Sequence, residues 1–218
     1  GMNSLGNCYY NGQGVTQNYA IAVEYYEQSA NLGNINAMKT LGDCYINGKG
    51  VGKSYTKAFE YYEKSANLGN ANATKSLGDC YYNGIGVDKN YEKAVKYYQQ
   101  ALMKGDLNAT KTLGDCYFNG YGVIQDYSKA VEYYSKAYNN GELNVSYNLG
   151  YCFYNGKGVE RDYIKSIKYF EESIKLGNIE SFESIGEIYL KGGYGIEQNY
   201  EKSLEYFERA CQLGKSEA

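Results

Sequence analysis

Apolar positions in this chain recur at two nested periods. Between Asn36 and Gly69, the residues Ala37, Leu41, Cys44 and Tyr45, with Gly42 among them, fall at i, i+4, i+7 and i+8. That spacing predicts a short amphipathic helix. Asn47-Gly48-Lys49-Gly50-Val51 interrupts it, since Asn and Gly accept the left-handed conformation that closes a helix. A second helix follows, with Ala58, Tyr62 and Ser65 at i, i+4 and i+7 as its apolar stripe and Gly69 at its end. The larger period is 36 residues, marked by Cys8, Cys44, Cys80, Cys116 and Cys152. Leu5-Gly6, Leu41-Gly42, Leu77-Gly78, Leu113-Gly114, Leu149-Gly150 and Ile185-Gly186 keep the same step. A fixed period of this size denotes a solenoid in which one supersecondary unit stacks on the next.

Register across the copies sharpens the element boundaries. The start of the second helix is held by Asn18, Ser54, Asn90, Asp126, Asp162 and Asn199, all side chains that accept a bond from free helix amides. Gly33, Gly69, Gly105, Gly141, Gly177 and Gly214 are expected to end that helix. Gly42 and its copies sit inside the first helix, where glycine costs about 1 kcal/mol relative to alanine. Recurrence at that cost predicts a close approach of the paired helix. The last copy carries one extra residue in its turn, Lys191-Gly192-Gly193-Tyr194-Gly195, which places the change on the surface. The fold class expected is all-α: a right-handed α-solenoid of about six helix-turn-helix repeats. Their units are about 1–33, 34–69, 70–105, 106–141, 142–177 and 178–214, in a single repeat domain over 1–218.

Leu-Gly-x-x-Tyr, then Gly-x-Gly-Val, then Lys-Ala with an aromatic pair and a closing Gly, resembles the Sel-like repeat (SLR), a family related to the tetratricopeptide repeats. The resemblance covers essentially the whole chain. Where that family often has Trp in the second helix, this chain has Tyr25, Tyr61, Tyr97, Tyr133, Tyr169 and Tyr206. The resemblance implies a protein-binding α-solenoid scaffold, with roles in complex assembly, signalling, quality control or bacterial host interaction.

Composition narrows the chemistry. Proline is absent, as suits a chain of helices and short turns. A net charge of −3 offers no basic footprint for nucleic acid. The longest apolar runs are far too short for a membrane span, so no membrane insertion is expected. Equivalent residues in stacked repeats lie roughly 8–10 Å apart, a helix-packing distance. A ladder of thiols at that spacing converges on neither a disulfide nor a metal, and buried filler is the expectation. A cysteine-rich secreted branch of the resembled family clamps each repeat with a disulfide, and only Cys211 fits its pattern. Free thiols favour the cytoplasm; a secreted or lumenal location stays open if a signal peptide has been removed. Gly1-Met2 looks like a residual tag, and Glu217-Ala218 falls where another first helix would begin, so the chain reads as part of a longer array or precursor.

Three apparent motifs dissolve in the repeat register. Asn72-Ala73-Thr74, Asn108-Ala109-Thr110 and Asn144-Val145-Ser146 match a glycosylation sequon, but the asparagine is expected to cap or precede the first helix. Ser54-Tyr55-Thr56-Lys57 matches the Ser-x-x-Lys motif of penicillin-binding enzymes, yet its counterparts are Asn and Asp caps. Gly12-x-Gly14 recurs in every copy and is turn chemistry. With no histidine the commonest general base is missing, and neither enzyme activity nor a cofactor is expected.

A ligand of a helical solenoid is expected on the concave face, lined by first helices. Lys39/Asp43, Lys75/Asp79 and Lys111/Asp115 repeat there as i, i+4 pairs, replaced in the next copy by Tyr147 and Tyr151 and in the last by Glu183 and Glu187. One turn further on runs Tyr10, Ile46, Tyr82, Phe118, Tyr154 and Leu190. Aromatic anchors beside polar groups are a common means of peptide recognition. Asn11, Asn47, Asn83, Asn119 and Asn155 are placed to hold a peptide backbone. The candidate protein-binding residues are therefore Lys39, Asp43, Lys75, Asp79, Lys111, Asp115, Tyr147, Tyr151, Tyr82, Phe118 and Tyr154. Two other readings stay open: a spacer that stacks on further repeats, and the β-lactam-hydrolysing activity ascribed to the cysteine-rich branch.

Overall fold

The computed structural model describes residues 1–216, which form twelve α-helices and no strands. Glu217 and Ala218, where the sequence places the start of a further first helix, lie outside the described residues. Contacts group the chain into two compact units, one of Gly1–Ala109 with Tyr121–Val123, the other of Thr110–Gly120 with Ile124 onward. The first unit holds α1 (Met2–Asn11), α2 (Tyr19–Asn31), α3 (Ile35–Asn47), α4 (Tyr55–Asn67), α5 (Ala71–Asn83) and α6 (Tyr91–Met103). All but the first residue of α7 (Ala109–Asn119) belongs to the second unit. It continues with α8 (Tyr127–Asn139), α9 (Ser146–Asn155), α10 (Tyr163–Lys175), α11 (Glu180–Lys191) and α12 (Tyr200–Ser216). Odd-numbered helices are the first of each repeat and even-numbered helices the second. The fold class is an all-α repeat solenoid.

Each predicted cap forms. The backbone N–H of Ile21 donates to Asn18, Lys57 to Ser54, Lys93 to Asn90, Lys129 to Asp126, Lys165 to Asp162 and Lys202 to Asn199, at 2.9–3.4 Å. The N–H of each cap residue in turn donates to an aromatic residue's carbonyl near the end of the first helix, as from Ser54 to Tyr45 and Asp126 to Tyr117, at 2.9 Å. The chain reversal is thus fixed at both ends of the turn. Gly33, Gly69, Gly105, Gly141 and Gly177 follow their helices with positive φ. Gly214 does not: it lies inside α12, which runs on to Ser216. The extra residue of the last turn remains on the surface, where Tyr194 adopts φ 49° and Ile196 returns to pack on the core.

The glycine inside each first helix has a steric cause. A Cβ on Gly42 would meet Tyr62 Cε1 at 2.4 Å, and one on Gly78 would meet Tyr98 Cε1 at 2.5 Å. In the second unit Gly114 faces Tyr134, Gly150 faces Phe170 and Gly186 faces Phe207, all under 3.0 Å. The ring lies flat where a methyl would be. Beside it, the preceding mid-helix tyrosine of the second helix stacks on a first-helix ring: Tyr25 on Tyr9, Tyr61 on Tyr45, Tyr97 on Tyr81, Tyr133 on Tyr117 and Tyr169 on Phe153. These are the positions at which the resembled family often carries Trp; a stacked phenol fills the same role.

Aliphatic burial has a different address. The cluster of Ala22, Val23, Tyr26 and Ala30 with Ala37, Leu41 and Cys44 joins α2 of one repeat to α3 of the next. Tyr62 and Ala66 meet Leu77 and Cys80 in the same way, as do Val131 and Tyr134 with Leu149 and Cys152. Within a repeat the helices are tied by ring on glycine and ring on ring; between repeats they share an aliphatic core. The thiols of Cys44, Cys80, Cys116 and Cys152 are buried and free. Burial pushes the Cys44 thiol up to about 11 and the other three up to about 12.

Candidate functional site

The first helices carry the predicted pairs where the sequence places them. In the first unit Lys39 meets Asp43 at 2.7 Å and Lys75 meets Asp79 at 2.9 Å; in the second, Lys111 meets Asp115 at 2.7 Å. All six side chains are half-buried. The carboxylates have a second commitment. The buried hydroxyls of Tyr62, Tyr98 and Tyr134 donate to Asp43, Asp79 and Asp115 at 2.8, 3.0 and 2.8 Å. Each aspartate is thereby held between a buried phenol and an ammonium, and both members of the ion pair stay partly exposed. Burial, with the aspartate's charge behind it, holds the phenols of Tyr62 and Tyr134 far above the usual tyrosine range.

The same contact explains where the pattern changes. In the last two repeats the ring over the glycine is Phe170 or Phe207, which has no hydroxyl to satisfy. The aspartate position is then free to become Tyr151 or Glu187. What those two repeats present is therefore released from a structural duty that binds the earlier ones.

Tyr151, Tyr147 and Phe118 converge. With Asn148 they line a cleft of about 160 Å³ in the second unit. Phe118 packs edge-on against Tyr127 and Tyr151, with ring centroids at 5.2 and 5.9 Å. The ammonium of Lys157 lies 5.0 Å from Phe118, 4.9 Å from Tyr127 and 5.1 Å from Tyr151, a cation over three rings. Burial, then the nearby Glu180, raises the Tyr147 phenol. Tyr154 stands apart from the cleft. Its hydroxyl donates to Glu187 and receives Lys191, which also pairs with Glu187 at 2.9 Å. The hydrogen bond from Tyr154, then that from Lys191, lowers the Glu187 carboxyl.

The remaining aromatic positions are part of the repeat packing. Tyr10 sits edge-on to Tyr19, and Tyr82 to Tyr91 and Tyr121, within the first unit. The asparagine row makes local bonds. The amide nitrogens of Asn47, Asn83, Asn119 and Asn155 donate to their own helices' carbonyls, at Asp43, Asp79, Asp115 and Tyr151. One amide N–H of each of these four residues thus serves its own helix end.

Sequence reasoning overlooked the residue between the two turn glycines. Lys49 lies 5.2 Å from both Tyr10 and Tyr19, Tyr121 stacks on Tyr91 at 4.9 Å, and Lys157 caps the Phe118 cluster. Each reaches the preceding repeat's aromatic pair. The signal lay in the 36-residue step: Lys49, Ile85, Tyr121 and Lys157 share one register position. A wider cleft of about 550 Å³, lined by Phe153, Arg161, Lys165 and Tyr194 among others, also escaped the sequence. It opens beside the turns, away from the residues selected on the first helices.

The three false motifs resolve as structure, and Gly12 and Gly14 take the left-handed φ of 70° and 72° that their turn requires. Ser54 accepts the Lys57 N–H, while the Lys57 ammonium lies 5.2 Å from the Tyr45 ring, so the serine and lysine serve a helix cap. The sequon at Asn72 belongs to the second residue of α5; the cap is Asn70, which accepts the Ala73 N–H at 2.9 Å. Thr74, Thr110 and Ser146, the sequon hydroxyl residues, are all buried. Among the described residues no group of histidine, cysteine or carboxylate side chains is placed to hold a metal ion, and no helix is long and apolar enough to cross a membrane.

The Sel1 repeat profile matches residues 1–34, 35–70, 71–106, 113–142, 146–178 and 184–215. No curated protein matches the chain. Among solved structures, a protective antigen of uropathogenic Escherichia coli displaying an SLR fold is 28% identical, with a TM-score of 0.89 over 98% of this chain and 46% of that one. The chain therefore spans less than half of that antigen's length. A Sel1 repeat protein from Oxalobacter formigenes is 34% identical, with a TM-score of 0.79 over 96% of this chain and 83% of the other. Proteins of this repeat class bind other proteins, generally as scaffolds. Six matched repeats, each laid on one helix pair with its ring-on-glycine contact, place the chain in the Sel1 repeat family.

Proposed function

We propose that this chain is a non-catalytic adaptor, acting as one repeat domain over 1–218, that binds a peptide or protein partner on the concave face formed by its first helices. The observation that carries the reading is the cleft of Phe118, Tyr147, Asn148 and Tyr151. Three of its four walls come from the repeat released from the phenol–aspartate contact, where side chains are free to serve a ligand. Large rings on a rigid scaffold gain contact area at little entropic cost, and Lys157 stands beside them as a charged handle. The face around Lys39, Lys75 and Tyr82 in the first unit contributes register through its lysines, whose aspartates are engaged beneath them.

The test is affinity capture with the purified protein beside a Tyr147→Ala/Tyr151→Ala/Lys111→Gln variant of unchanged circular dichroism. A partner retained by the parent should bind the variant at least tenfold more weakly, since a buried aromatic anchor is commonly worth about 2 kcal/mol or more. A Glu132→Gln/Lys136→Gln variant on the outer surface of α8 should bind as the parent does. Equal capture by all three would move the function off the first-helix face.

A further inference from the structure

The turn that breaks the 36-residue step builds a wall of the widest cleft. Gly193 and Ile196 pair through reciprocal backbone hydrogen bonds at 2.7 and 3.1 Å, which closes a tight turn. Its central residues, Tyr194 and Gly195, both hold positive φ, at 49° and 89°. That geometry favours Asn-Gly, and a tyrosine held there is strained. Burial does not account for the choice, since Tyr194 stays 55% exposed. Its register equivalent Tyr121 lies stacked on Tyr91. Tyr194 instead stands edge-on to Tyr163, with the Arg161 guanidinium over its ring at 5.1 Å.

Arg161 departs from its register in the same way. Gln17, Gln125 and Gln198 hold that position elsewhere, and each donates its amide to a first-helix carbonyl at 2.8 Å. Lys53 and Lys89 hold it in two more repeats and cover the rings of Tyr55 and Tyr91. Arg161 has a looser hold. Its hydrogen bonds to the Tyr194 hydroxyl and the Asn155 carbonyl are both 3.4 Å long. The other charges on the cleft wall are Glu160, Asp162 and Lys165. Asp162 and Lys165 pair at 3.2 Å, and Asp162 also accepts the Lys165 N–H. Among the described residues Arg161 forms no ion pair, with Glu160 or any other carboxylate. Apolar surface surrounds its fork: Phe153, Val159 and Ile164, the last 58% exposed.

We propose that this cleft binds the carboxylate of an acidic side chain on a partner peptide. The guanidinium fork takes the two carboxylate oxygens side by side, and the Tyr194 hydroxyl donates to one of them. The aliphatic stem of the bound side chain lies on Phe153 and Ile164. Glu160 sets the charge limit. A carboxylate brings one negative charge to the fork, whereas a phosphate monoester brings nearly two, against Glu160 and Asp162. Every residue of the site belongs to the second unit, and the cleft lies between successive repeats, away from either terminus. It shares no residue with the first-helix cleft, so each can fail without the other.

Fluorescence anisotropy tests it with a fluorescein-labelled peptide of alternating Glu and Ala, beside a control in which every Glu is Gln. The parent should bind the acidic peptide saturably and the control at least about tenfold more weakly. Arg161→Gln installs the residue that Gln17, Gln125 and Gln198 already supply in this register, so the fold tolerates it. Its binding of the acidic peptide should fall by about tenfold or more. Tyr194→Ala should weaken binding several-fold. Glu160→Gln should tighten it, a change that damage to the fold does not produce. The Tyr147→Ala/Tyr151→Ala/Lys111→Gln variant should bind this probe as the parent does. Equal binding of the two peptides, no saturation up to millimolar concentration, or parent-like binding by Arg161→Gln would each overturn the proposal. Loss of binding in the Tyr147/Tyr151 variant alone would also overturn it, by placing the probe in the first-helix cleft. Tighter binding of a counterpart with phosphoserine in place of Glu would overturn the assignment to a carboxylate.

Discussion

Raising the pH above 9 should unfold this protein steeply, and the thiol ladder should begin the process. Cys44, Cys80, Cys116 and Cys152 have their thiols raised by burial from an ordinary 9.0 to about 11 or 12. Between those values the unfolded chain gives up protons that the folded chain keeps. Stability is therefore full below pH 9 and falls as pH rises, by about 1.4 kcal/mol per pH unit for each thiol still protonated in the fold. Four thiols acting together lose about 5 kcal/mol over one pH unit, comparable to the whole stability of many domains. Above pH 10 the buried phenols of Tyr26, Tyr62 and Tyr134, raised chiefly by burial, add to the decline. Melting temperature measured by circular dichroism from pH 8 to 11 should show this. A variant with alanine at all four cysteine positions should hold a flatter profile up to pH 10, where tyrosine ionisation takes over. Equal slopes in the two proteins would show that the thiols do not govern the alkaline limb.

The second large effect concerns the ring over the helix glycine. Tyr98→Ala should destabilise by about 3–5 kcal/mol, the range for removing a large aromatic side chain from a packed core. It empties the space against Gly78 and deprives Asp79 of its phenol. Tyr98→Phe should cost only about 1.5 kcal/mol, the low end for a hydrogen bond to a charged group. The molecule already contains that substitution: Phe170 occupies the same place over Gly150. Gly78→Ala discriminates between accounts. Helix propensity alone predicts a gain of about 1 kcal/mol. A methyl placed 2.5 Å from Tyr98 Cε1 predicts a net loss instead, since overpacking costs about 1–3 kcal/mol. Urea midpoints of the three variants should rank Tyr98→Ala lowest, with the other two between it and the parent. A stabilised Gly78→Ala would refute the steric account.

The helices, their caps and the steric role of the glycine were legible because each signal is local and repeats at a fixed step. Asn18, Ser54, Asn90, Asp126, Asp162 and Asn199 differ in identity but share one hydrogen-bonding ability, and the register exposes that. Gly214 misled for the converse reason. A glycine at the right step ends a helix only when the chain must turn there, and α12 continues through it. The candidate site was harder to read. The pairing of Asp43, Asp79 and Asp115 with a phenol nineteen residues on crosses between helices, so lysine–aspartate spacing alone hid half of each aspartate's bonding. Its trace was present in the joint change from Asp115 and Tyr134 to Tyr151 and Phe170. Register put Tyr147 and Tyr151 in one row and Phe118 in the next, so their convergence is seen only in the fold, while Lys157 was masked by a turn motif that looked fully explained by its glycines.

The location of the aliphatic cores has a consequence for where such a chain can be cut. Leu41 and Cys44 close over Val23 and Tyr26, so each complete core straddles the seam between one 36-residue copy and the next. The repeat unit as the sequence profile marks it is thus half a step out of phase with the unit that encloses a core. A fragment excised at the sequence seams carries two raw faces; one cut from an even-numbered helix to an odd-numbered one carries whole cores. Adding a repeat anywhere adds one full core while leaving the number of raw faces unchanged, so lengthening the array is favoured by its own geometry.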